Sequence, residues 1–205
     1  MFVAPLADRL GGSEKMLWDI LSRGASKGVD QHVVCLQDGP LLRELEDIGI
    51  PATIVPAGRL RDPRATGRAL LSLTRVLRRT RPDLVVGWTA KAHLYAHPSA
   101  VAAGVGRRTV WWQHSVPQGH WVDRLATMLP AAAVGCSSHA SAAAQQRLRP
   151  RRPTFVVHPG VEPPGNDTGC ALSRSDLGIP DGRPVVTIVG RLQPWKGQDL
   201  SLIHI

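Results

Sequence analysis

The sequence predicts an α/β fold in which a parallel sheet carries helices on both of its faces. Short runs rich in β-branched residues alternate with longer segments whose apolar residues recur at helical spacing, which is typical of βαβ units. The short runs are almost continuously apolar, as expected for strands that are covered on both faces. With 205 residues and 43% apolar composition, the chain is long enough to bury a core.

The strands are expected at regular intervals along the chain. The first is predicted in the opening stretch MFVAPLA, and six more follow over residues 32–36, 52–56, 83–88, 108–114, 132–138 and 154–160. Helical spacing occupies the segments between them, for example at Met16, Leu17, Ile20 and Leu21. This alternation places the strands in one parallel sheet with helical crossovers.

A change in composition divides the chain. Residues 1–161 are predicted to form the first domain. Residues 162–183 are rich in proline and glycine, which predicts a linker with a short helix over residues 171–178. The apolar run 184–190 predicts the first strand of a second α/β domain, of which residues 184–205 form only the beginning. The closing residues SLIHI replace the amphipathic helix expected there, and we interpret them as a truncation scar.

Composition argues against several classes of protein. The chain has no apolar run of about eighteen residues and no signal-peptide pattern, so a cytoplasmic location is predicted. The three cysteines, Cys35, Cys136 and Cys170, lack the Cys-x-x-Cys spacing of a zinc or redox site. We expect them to be buried free thiols.

The chain is strongly basic, with a formal net charge of +9 and a pI of about 10.7. Two clusters, RVLRRTRPD from Arg75 and RLRPRRP from Arg147, carry much of this charge. The simplest interpretation is a solvated surface, and the next is peripheral contact with anionic lipid headgroups at the inner face of the membrane. No aromatic interleaving or nucleic-acid motif accompanies the arginines, so a nucleic-acid partner is not predicted.

Two adjacent glycines, Gly11 and Gly12, stand directly before the first helical pattern. A structural turn explains them, and so does an anion that approaches the backbone at the start of a helix. Ser13 is the predicted N-cap, and Glu14 falls in the first turn. Neither the dinucleotide fingerprint nor the P-loop occurs in the chain, which argues against a dehydrogenase.

His114 ends the predicted strand RTVWWQH, and therefore lies where ligand groups gather at the carboxyl edge of a parallel sheet. An imidazole there can exchange hydrogen bonds with a sugar hydroxyl, and its charge is tunable near neutral pH. The structural alternative, a histidine that only packs, stays open.

Other histidines are weaker candidates. His93 and His97 have the i, i+4 spacing of a helical metal pair but no third ligand in a zincin-like pattern, so no metal is predicted. His139 follows Ser137 and Ser138, yet the chain has no nucleophile elbow. We expect these serines to cap the helix that follows.

The stretch VGRLQPWKG places two cations just beyond a predicted strand. Arg191 follows Gly190, and Lys196 precedes Gly197. Arginine offers a planar fork and lysine a point charge, and both suit a phosphate. Each such charge-assisted bond contributes about 1.5–3 kcal/mol.

These stretches together resemble glycosyltransferase family 4, whose members are retaining enzymes of the GT-B fold. The resemblance rests on GGSEKML, RPDLVVGW, WWQHS, AVGCSSHA, HPGVE and VGRLQPWKGQDL, in this order along nearly the whole chain. It implies two Rossmann-like domains, with the acceptor held mainly by the first and the nucleotide sugar mainly by the second.

The resemblance also implies roles for individual residues. Arg191 and Lys196 would bind the donor diphosphate, and Gly11 and Gly12 would let it approach the first domain. His114 would contact the reacting sugar. Gly160 and Glu162 would lie at the domain junction. The family's paired glutamates would lie downstream of residue 205, so the chain as given is expected to have negligible transferase activity.

The resemblance implies transfer of a sugar from a nucleotide-diphosphate sugar to an acceptor, with retention at the anomeric carbon and without a cofactor. The acceptor, whether glycan, lipid or small metabolite, stays open. One alternative is a nucleotide-sugar epimerase of the same fold, which would act without an acceptor. Another is a non-enzymatic basic module that binds an anionic membrane or nucleic acid.

Overall fold

A computed structural model of the chain describes residues 1–7, 11–24, 27–160, 173–180, 182, 184–190 and 197–202. The chain divides into two compact units, residues 1–161 and residues 162–205. The first unit holds the sheet and most of the helices. Among the described residues of the second unit are a hydrogen-bonded turn over 174–178 and one short helix.

The first unit is built on a seven-stranded sheet in which every pairing is parallel. The strands are β1 (Phe2–Ala4), β2 (Val33–Cys35), β3 (Ala52–Ile54), β4 (Val85–Trp88), β5 (Thr109–Gln113), β6 (Ala133–Cys136) and β7 (Thr154–Val156). Their order across the sheet is β3-β2-β1-β4-β5-β6-β7. The predicted fold class and all seven strands of this sheet are confirmed.

Helices connect the strands. They are α1 (Gly12–Gly24), α2 (Leu41–Asp47), α3 (Pro63–Thr80), α4 (Ala90–Ala102), α5 (Trp121–Met128), α6 (His139–Arg147) and, in the second unit, α7 (Gln198–Leu202). The longest of these helices, α3, is capped at both ends. The Asp62 side chain accepts hydrogen bonds from the first backbone amides, and Arg81 ends the helix in the left-handed conformation.

Alternating strand residues serve the cores on the two faces of the sheet. Val34 packs with Leu73 and Tyr95 from the α3 and α4 side, whereas Val33 packs with Leu17 from α1 on the other side. A third cluster surrounds Trp111 and includes residues from α4, α5 and α6. Helices therefore cover both faces, which explains why the strands lack a polar side.

Two local predictions are wrong. Residues 184–190 form no strand: Val186 is 86% and Val189 92% exposed, because the described part of the second unit offers no other strand to complete a hydrogen-bonded ladder. The short helix predicted over 171–178 is, in its described part, a turn with a bond from the Leu177 amide to the Arg174 carbonyl. The division into linker and second domain stays a prediction.

The described cysteines agree with the prediction of free thiols. Cys35 and Cys136 are unpaired and buried, and burial raises the pKa of the Cys35 thiol to about 12. Cys170 lies outside the described residues. No helix in the described ranges is long and apolar enough to cross a lipid bilayer.

Candidate functional site

The carboxyl edge of the sheet gathers the chain segments that follow β1, β4, β5 and β6, four neighbours in the strand order. The start of α1, the residues after Trp88, His114 and the serines before α6 all lie at this edge because the strands are parallel. This edge is where the sequence predicts ligand-binding groups.

Helix α1 begins at Gly12, two residues earlier than a cap at Ser13 predicts. The Lys15 amide donates to the Gly11 carbonyl at 3.0 Å, so Gly11, and not Ser13, occupies the cap position. The predicted Ser13 cap is wrong because the helical bonding starts before it. Glu14 is buried beside the helix start, and a Cβ at Gly11 would collide with its carboxylate.

Gly12 differs from Gly11. A Cβ built at Gly12 would meet no atom of the described residues within 4 Å, so this part of the fold gives no steric reason for glycine at this position. The first backbone amides of a helix have no partner within the helix and carry partial positive charge. As far as the described residues go, the space beside Gly12 is open to an anion that approaches these amides.

Trp88 joins the start of α1 to the middle of the sheet. Its indole Nε1 donates to the Ser13 carbonyl at 3.0 Å, and its ring is fully buried. The same ring stacks on Trp112 at 5.4 Å between centroids and contacts the His114 ring at 4.4 Å. One side chain thus brings the glycine-rich helix start and the histidine to the same place.

His114 is the first residue after β5 and is half-buried beneath this aromatic cluster. Burial lowers the pKa of its imidazole to about 4, so the ring is neutral at pH 7. The expectation of a charge tunable near neutral pH is therefore wrong. Its Nε2 is buried without a hydrogen-bond partner among the described residues.

Three serines fix the backbone around His114. The Ser137 hydroxyl donates to the His114 carbonyl at 2.8 Å, and the Ser141 hydroxyl donates to the Ser115 carbonyl at 2.9 Å. The Ser138 hydroxyl accepts from the Ser141 amide at 3.1 Å and caps α6, as predicted. These hydroxyls hold the loop in place.

Thr89, directly after Trp88, has a strained backbone. Its φ is 128°, in a region that a β-branched residue rarely adopts, and its hydroxyl accepts from the Ala92 amide to cap α4. Such strain costs about 1–3 kcal/mol and is concentrated at functional sites. Sequence reasoning missed both Thr89 and Trp88. The only available signal was an aromatic residue at the end of the buried strand VVGW.

The predicted site residues fall into three groups. Gly11, Gly12 and His114 lie together at the carboxyl edge. Gly160, exposed, lies after β7 at the end of the described part of the first unit. Glu162, Arg191 and Lys196 lie outside the described residues.

The helical histidine pair forms no metal site with a third ligand. His93 and His97 lie on α4 with ring centroids 5.6 Å apart, and no group of three metal-ligating side chains occurs within the described ranges. His93 stacks flat on Trp111, at 5.3 Å and 6°. The absence of a metal stays a prediction.

Comparison with known proteins gives a consistent result. The family model described as Glycosyltransferase Family 4 matches residues 10–163. A curated relative, the D-inositol 3-phosphate glycosyltransferase of Corynebacterium efficiens, is 49% identical over 53 residues, which cover 24% of this chain and 12% of that protein.

Solved structures share the fold. Anabaena Alr3699/HepE, crystallised in complex with UDP and glucose, aligns with a TM-score of 0.64 and 21% identity over 78% of this chain and 44% of that one. The apo lipopolysaccharide outer core galactosyltransferase WaaB aligns with a TM-score of 0.57 and 13% identity over 72% of this chain and 42% of that one. The chain thus spans less than half of either structure.

Proposed function

Because this chain belongs to glycosyltransferase family 4, we propose that the whole protein transfers a sugar from a nucleotide-diphosphate sugar to an acceptor hydroxyl, with retention at the anomeric carbon. One observation carries the proposal most directly. Trp88 contacts His114 and bonds to Ser13, so a neutral imidazole and an open helix start face the same edge of the sheet.

The helix start serves the leaving group. When the bond between the anomeric carbon and the diphosphate oxygen breaks, negative charge develops on the diphosphate, and preorganised amides and cations stabilise it. The open space at Gly12 allows phosphate oxygens close to the amides of α1. Arg191 and Lys196 are proposed to supply the remaining positive charge.

His114 serves the sugar. A neutral ring exchanges hydrogen bonds with sugar hydroxyls without adding charge, and a ligand bond satisfies a ring whose Nε2 lacks a partner among the described residues. The acceptor oxygen then bonds to the anomeric carbon on the face that the diphosphate leaves. Its proton passes to the departing phosphate oxygen, so the step needs no protein base.

The substrates follow from the relatives. UDP-glucose is the first donor to test, because the structural neighbour HepE was crystallised with UDP and glucose. D-inositol 3-phosphate is the first acceptor to test, since the Corynebacterium relative is named for it. Cytoplasmic location and peripheral contact with an anionic membrane stay predictions.

The test is a transfer assay on the whole protein with UDP-glucose, UDP-N-acetylglucosamine and GDP-mannose, each with and without acceptor. We expect nucleotide release that depends on acceptor, and a product whose anomeric proton coupling matches that of the donor. Donor turnover without acceptor would favour the epimerase. An inverted product would contradict retention, and no donor consumption under any condition would contradict the function.

His114→Ala is expected to lower kcat/KM of the whole protein by about 10²-fold, which corresponds to about 2.7 kcal/mol of lost transition-state stabilisation. His32→Ala is the matched control because His32 precedes β2 at the opposite edge of the sheet. The proposed role of His114 is wrong if the two variants have equal rates.

Gly12→Ala separates ligand approach from folding. The methyl group meets no atom within 4 Å in the part of the chain that the structure describes, so the free energy of unfolding should stay level or rise by up to about 1 kcal/mol. UDP affinity of the whole protein should fall about tenfold, because the methyl group blocks close approach to the amides. Gly67→Ala, in α3 and equally free of contacts, makes the same chemical change away from the edge. Titration calorimetry with UDP compares them, and equal affinities would remove the helix start from the donor site.

A further inference from the structure

A cavity lies at the amino edge of the sheet, opposite the candidate site. It measures about 730 Å³ and is lined by α4 and by the segments that precede β5, β6 and β7. The five residues of β5 separate the two edges by on the order of 16 Å, at about 3.3 Å per residue. The cavity is therefore distinct from the site around His114.

Two arginines with no assigned role line this cavity. Arg107 comes from the single turn Gly106–Arg108 before β5, and Arg152 comes from the segment before β7. Neither guanidinium forms an ion pair or hydrogen bond with any described residue. Two other arginines, in contrast, have partners: Arg108 lies 3.7 Å from the Asp83 carboxylate, and Arg78 donates to the Ala102 carbonyl.

The backbone holds both arginines in place. The Arg108 amide donates to the Val105 carbonyl, which closes the turn that carries Arg107. The Val134 amide donates to the carbonyl of Pro153, next to Arg152. The two arginines thus extend from separate, hydrogen-bonded segments that both line the cavity.

A buried imidazole also lines the cavity. His97 is only 4% exposed, and its Nδ1 is buried without a hydrogen-bond partner among the described residues. Leaving such a group unsatisfied is unfavourable, because its hydrogen bond to water is lost on folding and not replaced. Behind it, His93 is fully buried and contacts the His97 ring.

We propose that this cavity binds a small phosphate monoester, with Arg107 and Arg152 holding the phosphate and His97 completing its hydrogen bonds. Two guanidinium forks from separate walls match the charge and the several oxygens of a phosphate, whereas one fork suffices for a carboxylate. The volume lies within the range of ligand sites and exceeds what a phosphate alone needs. Apolar wall residues, Val101, Pro130 and Ala131, face the organic part.

The experiment titrates the 205-residue chain with glycerol 3-phosphate, with glycerol as the uncharged control. We expect binding of glycerol 3-phosphate alone, at least a tenfold loss of affinity in Arg107→Gln and in Arg152→Gln, and wild-type affinity in Arg75→Gln. Arg75 is an exposed arginine on α3, so it reports non-specific attraction to a basic surface. Because both cavity arginines are exposed, their variants should fold normally, which circular dichroism verifies.

A second arm distinguishes a soluble ester from a lipid headgroup. Vesicles of phosphatidylcholine with phosphatidic acid replace glycerol 3-phosphate, and co-sedimentation that depends on Arg107 and Arg152 would place the phosphate on a lipid. Shifts of the His97 imidazole resonances during either titration locate the ligand. Failure to bind either probe, or binding that both glutamine variants retain within twofold, overturns the proposal.

Discussion

Trp88→Ala is expected to lower the free energy of unfolding of the chain by about 3–5 kcal/mol, the range for removing a buried large aromatic side chain. The Trp88 ring is fully buried in the core on the α1 side of the sheet. It also contacts Phe2 edge-on at 5.8 Å and stacks on Trp112 at 5.4 Å, and such aromatic pairs add about 0.5–1.5 kcal/mol beyond burial.

Urea unfolding of the chain measures the effect, with Trp121→Ala as the matched control. Trp121 is 51% exposed, so its removal should change the unfolding free energy by less than about 1 kcal/mol. Trp88→Phe keeps a ring in the core but loses the Nε1 bond to Ser13, and should cost about 1–2 kcal/mol. If the Trp88→Ala variant is as stable as Trp121→Ala, Trp88 does not hold the centre of the candidate site together by packing.

The strands could be predicted because their signal is local. A buried parallel strand must be apolar on both faces, and each run in residues 1–161 carries that pattern within a few residues. The ends of the strands were less predictable than their positions, because a strand ends where its pairing with the neighbouring strand stops. The run 154–160 forms β7 only over Thr154–Val156, the residues paired with β6. The run 184–190 has the same local pattern but pairs with none of the described strands, and it forms no strand itself.

The place of His114 in the fold was predictable from the sequence, but the surroundings of its ring were not. His114 could be placed because it follows a strand, and the edge of the sheet follows from the topology. Its low pKa could not be predicted, since it depends on burial beside Trp88 and Trp112. The bond from Trp88 to Ser13 joins residues 75 positions apart, and no local pattern specifies such a contact.

Acidification is expected to destabilise the chain, with His93 as a main cause. Burial, reinforced by the neighbouring His97, lowers the pKa of His93 to about 3 from an ordinary value of 6.5. Between these two values the unfolded chain binds a proton that the folded chain does not, so the free energy of unfolding falls as the pH falls through this window. The contribution of His93 to the free energy of unfolding is fully present above pH 6.5. His93 alone should account for a loss of about 3 kcal/mol between pH 7 and pH 4.

His93→Phe tests this assignment because phenylalanine keeps a ring against Trp111 and cannot titrate. Among the described residues, the backbone of Leu129 is the one hydrogen-bonding group that influences the His93 ring, so the variant should lie within about 1–3 kcal/mol of wild type at pH 7. Urea unfolding at pH 7, 6, 5 and 4 should show a decline smaller by about 3 kcal/mol than in wild type. His120→Phe replaces an exposed histidine and should keep the wild-type decline. If His93→Phe also keeps it, the acid sensitivity arises elsewhere, and His32, His97 and His114, whose pKa values burial also lowers, become the groups to replace.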